Sequence, residues 1–373
     1  MSRFFDLVSK PVREMGSYLP PHVPSTSAQS TRPRLISLDS NENPYGPSSR
    51  AVQALQSGLM TASAYPDDDC SQLRLQLAHH HDLPVEQVLV TAGSTALLGL
   101  LCQTLLTPGK NAVTSERSFI VYSMAVHATG AELIETPMRD DAIDLGAILN
   151  AINEHTRIVF IANPNNPTGT MLDASSVDRF VSEVPGHVVV VLDEAYYEYA
   201  THFAARRQVE YPRSLNYIAQ GSNVVVLRTF SKAYGLAGLR IGYGMGPAEL
   251  LSYCAQMRNT FSVSSLAQAG ALAALEDQKH VERTVTTNAS HAQVIGVALS
   301  EMGFRVVPTS ANFLYCDLSE DAGAIAERLR VEGISVRPLR GWGAPTCIRV
   351  SIGTQQQNQA FLNAIHKIYN TVL

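Results

Sequence analysis

From about residue 85 to residue 230, short apolar runs alternate with amphipathic stretches. The runs QVLVTAG, NAVTSE, RIVFIANP, HVVVVLDEAYYEY and NVVVLRTF read as strands. TALLGLLCQTLL, SFIVYSMAVHATG and SSVDRFVSEV between them carry helical spacing. Two helices precede this block, SSRAVQALQSGLM and SQLRLQLAHHHDL, the second ended by Pro84. Strands alternating with helices predict an α/β unit whose mainly parallel sheet is covered on both faces. From about residue 275 the texture changes to a long helix through HVERTVTTNASHAQVIGVALSEMG, then ANFLYCDL, AGAIAERLRVEG and CIRVSIGT. That pattern predicts a smaller α+β domain of roughly a hundred residues. Residues 16 to 36 are rich in Pro, Ser and Thr and read as an extended arm.

Composition narrows the class. The chain has 373 residues, 45% of them apolar and 16% charged, which suits a globular protein of two or three domains. A net charge of −5, with no basic stripe, argues against nucleic acid as a partner. The five cysteines form no CxxC pair, so the sequence predicts no zinc site and no disulfide framework, and a reducing compartment. Charges interrupt the apolar residues of MSRFFDLVSKPVREMG too often for a signal-peptide core. No run approaches the roughly 18 apolar residues of a membrane span, and cytoplasm is the expectation.

In sheets of this kind, ligands bind beyond the carboxyl ends of the strands. QVLVTAGST ends in a small-residue turn where Ser94 and Thr95 open a helix, a position suited to phosphate. Many Ser/Thr helix starts bind nothing, so this signal is weak alone. VFIANPNNPTG ends in turn-formers that include Asn166, and an ordinary Asx-rich turn explains most such stretches. HVVVVLDEAYYEY runs straight into Asp193, with Tyr196 three residues on. A carboxylate at the tip of a buried strand calls for a cation. NVVVLRTFSK ends in Thr229, Ser231 and Lys232, and Arg240 follows beyond two glycines. A partly desolvated lysine near other cations becomes a nucleophile toward carbonyls. Together these residues ask for a ligand with an aldehyde, a phosphate and a ring cation. Pyridoxal 5′-phosphate (PLP) has all three.

SNENPYGP, NPNNPTG, LDEAYYEY, TFSKAYGLAGLRIGY and IRVSIGT, in this order, resemble the class I/II aminotransferases of PLP fold type I. Within these the chain resembles the histidinol-phosphate aminotransferase group, from about residue 35 onward. The resemblance implies a large domain (56–274) with a mainly parallel seven-stranded sheet. It also implies a small domain (35–55 and 275–373) and an arm (1–34). Lys232 would link to the cofactor's aldehyde and move the proton. Asp193 would pair with the ring nitrogen, Asn166 and Tyr196 would bond the ring oxygen, and Phe119 would stack on the ring. Ser94, Thr95, Thr229, Ser231 and Arg240 would hold the phosphate, with Tyr65 reaching it from the partner of a homodimer. Arg349 and Arg337 would grip the substrate's anion, with Tyr18 and Asn43 beside it. At the first phosphate turn the chain reads AGSTALL, where the family often has an acidic residue.

These motifs imply transamination between an anionic amine and a 2-oxo acid such as 2-oxoglutarate. They overlap with threonine-phosphate decarboxylases of the same fold and with aminotransferases of specialised metabolism. A non-catalytic regulatory domain is a third reading, opposed by the presence of Lys232, Asp193 and Arg240. The AHHHD histidines read as a solvated helix end rather than a metal site. The cysteines read as buried small apolar groups, and Trp342 as a loop aromatic that borders the pocket or packs on its own domain.

Overall fold

The computed structural model describes residues 4–5, 7–14 and 35–370. Tyr18 and most of the expected arm lie outside the described residues. The large sheet has seven strands. In spatial order they are Val88–Thr91, Gly242–Met245, Val224–Thr229, Val189–Asp193, Thr156–Ala162, Asn111–Ser115 and Glu132–Thr136. Every neighbouring pair is parallel except the two made by Gly242–Met245. The central runs are buried along almost their whole length, which explains why they read as continuous apolar stretches.

Two strands escape the apolar pattern. Glu132–Thr136 is an edge strand with exposed glutamates. Gly242–Met245 has glycine at alternate positions because helix Ser94–Leu105 lies directly on it. A Cβ at Gly244 would come within 2.2 Å of the Leu97 side chain. The chain between Lys232 and this strand is a turn with a short 3₁₀ segment, Ala237–Leu239.

The smaller sheet is antiparallel, in the order Arg305–Val307, Phe313–Asp317, Ala344–Ser351, Arg337–Leu339. Helices Gln278–Glu301, Ala322–Val331 and Gln355–Asn370 accompany it. Ile36–Ser37 pairs in parallel with Ile334–Ser335, while helix Ser49–Gly58 packs along helix Ser265–Glu276. The stretch 35–55 therefore touches both units.

All five cysteines are buried thiols, and burial pushes those of Cys70, Cys102 and Cys316 up to about 12. No helix among the described residues is long and apolar enough to cross a membrane. The solvated-end reading of AHHHD holds for His79 and His80 and fails at His81. Asp82 closes the helix in the left-handed region, and the His81 ring stacks on Tyr243 with Nε2 3.0 Å from the phenol oxygen. Burial brings His81 down to about 2, so it is a neutral packing group. Among the described residues no His/Cys/Asp/Glu cluster could hold a metal.

Candidate active site

A cavity of about 410 Å³ opens where the carboxyl ends of the large-domain strands meet the small domain. It is lined by Ser94, Thr95, Phe119, Asn166, Asp193, Tyr196, Thr229, Ser231, Lys232, Arg240, Arg337 and Arg349. Residues spread over more than 250 positions thus meet in one place. Asn43 and Tyr65 do not line it. Asn43 donates its side-chain amide to the Ala233 carbonyl at 2.9 Å and accepts from the Tyr45 amide. Tyr65 is 83% exposed and stacks on Phe261 with 4.6 Å between ring centroids.

One end of the cavity is built for an anion. Helix Ser94–Leu105 starts at Gly93, which has φ +86° and no side-chain cap, whereas Asp144, Asp173 and Ser264 cap their helices with side-chain oxygens. The open amides face Thr229, Ser231 and Arg240. Arg240 has left-handed backbone (φ 52°) and donates to the Ala237 carbonyl at 3.0 Å; among the described residues it has no carboxylate partner. Its guanidinium lies over the turn because Gly93 has no Cβ, which would come 2.7 Å from that head. A Cβ on Gly242 would sit 2.4 Å from the Ser94 amide nitrogen, so the helix start rests on bare backbone. Gly242→Ala should displace this helix start, at an overpacking cost of about 1–3 kcal/mol. PLP titration should show at least roughly tenfold weaker binding. Unchanged affinity would mean that these amides do not seat the phosphate.

At the floor, Asp193 ends its strand 5% exposed. Tyr122 donates to one carboxylate oxygen at 2.9 Å and the Ala195 amide to the other at 3.2 Å. Burial pushes the carboxyl up to about 6, against the hydrogen bond from Tyr122. A carboxyl so buried is suited to pair with a cation entering the cavity. Tyr122 lies on helix Val121–Ala128, stacks on Phe160, and packs edge-on to Phe119. The sequence reading missed it, although it stands only three residues after Phe119, whose carbonyl accepts the Tyr122 amide in the turn that leads into the helix.

Lys232 Nζ donates to the Asn41 carbonyl at 3.1 Å and to the Ser40 carbonyl at 3.3 Å. Burial brings its ammonium down to about 7, with the Arg349 guanidinium pushing the same way. Asn41, also unforeseen, donates to the Tyr196 hydroxyl at 2.9 Å. Of the two asparagines in SNENP, the one at 41 faces the cavity. Its backbone is left-handed (φ 56°), so the two asparagines, which would share a face on a regular strand, point to different places.

Arg349 is 6% exposed and donates to the Asn166 side-chain oxygen and the Asp39 carbonyl, each at 2.6 Å. Its Cα partner on the adjacent antiparallel strand is Arg337, so both arginines project from one face of the small sheet. The Arg337 guanidinium lies 5.3 Å from the Trp342 ring centroid. An uncapped helix start with hydroxyls, an acid held for a cation, and a desolvated amine match the phosphate, ring nitrogen and aldehyde of PLP. The residues present fit that cofactor.

The family "Aminotransferase class I and II" matches residues 33–365. The chain is 40% identical to histidinol-phosphate aminotransferase 2 of Pseudomonas aeruginosa, over 99% of both chains. It is 38% identical to histidinol-phosphate aminotransferase of Moorella thermoacetica, over 95% of this chain and 92% of the relative. A solved histidinol-phosphate aminotransferase from Sinorhizobium meliloti, in complex with pyridoxal-5′-phosphate, superposes with TM-score 0.84 at 29% identity, covering 91% and 92% of the two chains. L-threonine-O-3-phosphate decarboxylase from Porphyromonas gingivalis shares the fold, with TM-score 0.79 at 23% identity over 90% of this chain and all of that one. With the cavity built as described and the match running nearly end to end, this chain belongs to the class I and II aminotransferases of PLP fold type I.

Proposed function

We propose that this PLP-dependent aminotransferase takes its amino group from a phosphorylated amine of the histidinol-phosphate kind and delivers it to a 2-oxo acid such as 2-oxoglutarate. The observation that carries the reading is the arginine pair, Arg337 opposite Arg349. Guanidinium forks donate to phosphate and carboxylate alike, as a site that serves two anionic substrates in turn requires. Relatives about 40% identical over nearly the whole chain bear the name histidinol-phosphate aminotransferase, which favours a phosphate on the amine.

Bound in the cavity, PLP supplies an aldehyde for the amine and a sink for the electrons released at the substrate's amine-bearing carbon. Lys232 Nζ, near neutrality at physiological pH, takes the proton from that carbon. Asp193 keeps a negative charge opposite the ring nitrogen, and Tyr122 orients the carboxylate. Tyr196 and the Asn166 amide nitrogen serve the ring oxygen. The Asn166 side-chain oxygen is already bonded to Arg349, so anion binding and ring binding share one contact. Phe119 covers the ring. Ser94, Thr95, Thr229, Ser231 and Arg240 take the phosphate, and Arg349 and Arg337 the substrate's anion. Asn41, rather than Asn43, is the asparagine at the site.

The test offers histidinol phosphate, unphosphorylated histidinol and threonine phosphate separately, with 2-oxoglutarate, and follows glutamate and carbon dioxide. Glutamate formed in proportion to histidinol phosphate, with histidinol a far poorer donor, is the expected result. Equal rates for the two amines, or carbon dioxide from threonine phosphate without glutamate, would overturn the reading.

The enzyme is proposed to work in the cytoplasm as a homodimer, with Tyr65 completing the partner's phosphate site. Its exposure leaves the phenol available for such a contact. Two inactive variants, Tyr65→Ala and Lys232→Ala, should regain some activity when their subunits exchange, because one site in each hybrid has both intact residues. Loss of one bond to a charged phosphate costs about 1.5–3 kcal/mol, so Tyr65→Phe should bind PLP roughly ten- to a hundredfold more weakly. Exchanged hybrids that stay inactive would count against shared sites.

A further inference from the structure

The sequence left two readings of Trp342: a residue of the pocket, or a loop aromatic packed on its own domain. The structure has it in contact with both domains at once. It ends the 3₁₀ turn Arg340–Trp342 between the strands that carry Arg337 and Arg349, and Gly343 closes that turn at φ 73°. The indole N–H donates 2.9 Å to the Ser118 carbonyl, across to the large domain. The ring faces the Arg337 guanidinium, and both residues line the active-site cavity.

The Ser118 anchor is firmly held. Ser118 is 7% exposed, and its hydroxyl donates to the Asn165 side-chain oxygen at 2.8 Å. Asn165 in turn donates to the Arg117 carbonyl at 3.0 Å, tying the residues before Phe119 to the NPNNPTG turn. Arg337 differs from Arg349: among the described residues its side chain has no hydrogen bond or ion pair, and its guanidinium faces the Trp342 ring. A half-buried arginine without polar partners samples many rotamers, and ordering it on substrate binding costs affinity. Stacking on an aromatic face restricts the guanidinium while leaving its N–H edge open to an oxyanion.

We propose that Trp342 is a positioning residue: it holds Arg337 ready for the substrate's anion and, through Ser118, references that cation to the loop bearing Phe119. The proposal rests on the reading of Arg337 as an anion-binding residue. It goes further in making the anion grip of the small domain depend on a contact with the large one.

The chain has a single tryptophan, so its fluorescence reports on this residue alone. The cofactor-loaded enzyme, in which the PLP phosphate occupies the helix start, is titrated with inorganic phosphate and with histidinol phosphate. Tryptophan emission should change saturably with either anion, and Arg337→Gln should abolish the change. In steady state, Trp342→Leu should raise KM for the anionic amine about three- to tenfold while kcat stays within about twofold. Trp342→Phe, which keeps a ring and loses the N–H, should fall between. Because Trp342 acts through Arg337, adding Trp342→Leu to Arg337→Gln should cost nothing more in KM.

Emission indifferent to phosphate, or additive effects in the double variant, would overturn the proposal. So would a fall in kcat at constant KM. If Trp342→Leu fails to fold, the wild-type titration and Trp342→Phe still decide. Should histidinol phosphate prove not to be a substrate while phosphate still gives the Arg337-dependent change, the substrate reading fails and this one stands.

Discussion

Lys232→Ala should abolish turnover while leaving a folded protein that still binds PLP without a covalent link. The open amides of Ser94 and Thr95, the hydroxyls of Thr229 and Ser231, and Arg240 all remain. Borohydride should fix the cofactor to the wild-type chain and not to the variant; equal labelling would remove Lys232 from its role. A pH series sharpens the point. With the ammonium brought down from 10.5 to about 7, the cofactor-free enzyme should react with aldehydes in a rise centred near pH 7. An ordinary lysine would give that rise more than three units higher. The same shift has a sign in stability. Between about pH 7 and 10.5 the unfolded chain holds a proton on this lysine that the folded chain lacks. The lysine's contribution is therefore complete above 10.5 and is lost as pH falls through 7.

Asp193→Asn should keep the fold and cut the rate by several powers of ten. Even the low end, roughly 10²–10³-fold, is the scale for losing one buried partner of developing charge. In the cofactor-free protein, burial pushes this carboxyl up from 3.8 to about 6. Its stability contribution is thus complete below 3.8 and is lost as pH rises through 6, the reverse of Lys232. A cation at the ring nitrogen would favour the ionised form and draw the pKa back down. An amide is nearly isosteric and can still accept from Tyr122, but it supplies no charge. Near wild-type kcat in Asp193→Asn would refute the assignment. Tyr122→Phe separates orientation from charge, and it should lose less than Asp193→Asn does.

Much of this could be read along the chain, because the signals are local. A run of apolar residues that stops at Asp193 already says that a buried strand ends in a carboxylate, and Pro, Gly and Asn at 163–169 already say turn. The same holds for the helix opening at Ser94 and the hydroxyl-and-lysine turn at 229–232. Strand ends of a parallel sheet share one edge, so those segments converge wherever the helices pack. What the chain did not disclose was which side chains touch across that edge. Tyr122 reaches Asp193 over 71 positions because helix Val121–Ala128 turns that face toward the sheet. Arg337 stands opposite Arg349 only through strand register, and Trp342 meets Ser118 only where two domains close on each other. His81 turns inward because it shares a helix face with the buried Leu77 and Ala78, whereas Asn41 rather than Asn43 lines the cavity because its own backbone is left-handed. Periodicity reports which residues are buried; register, backbone handedness and the packing of distant segments decide what each one is buried against.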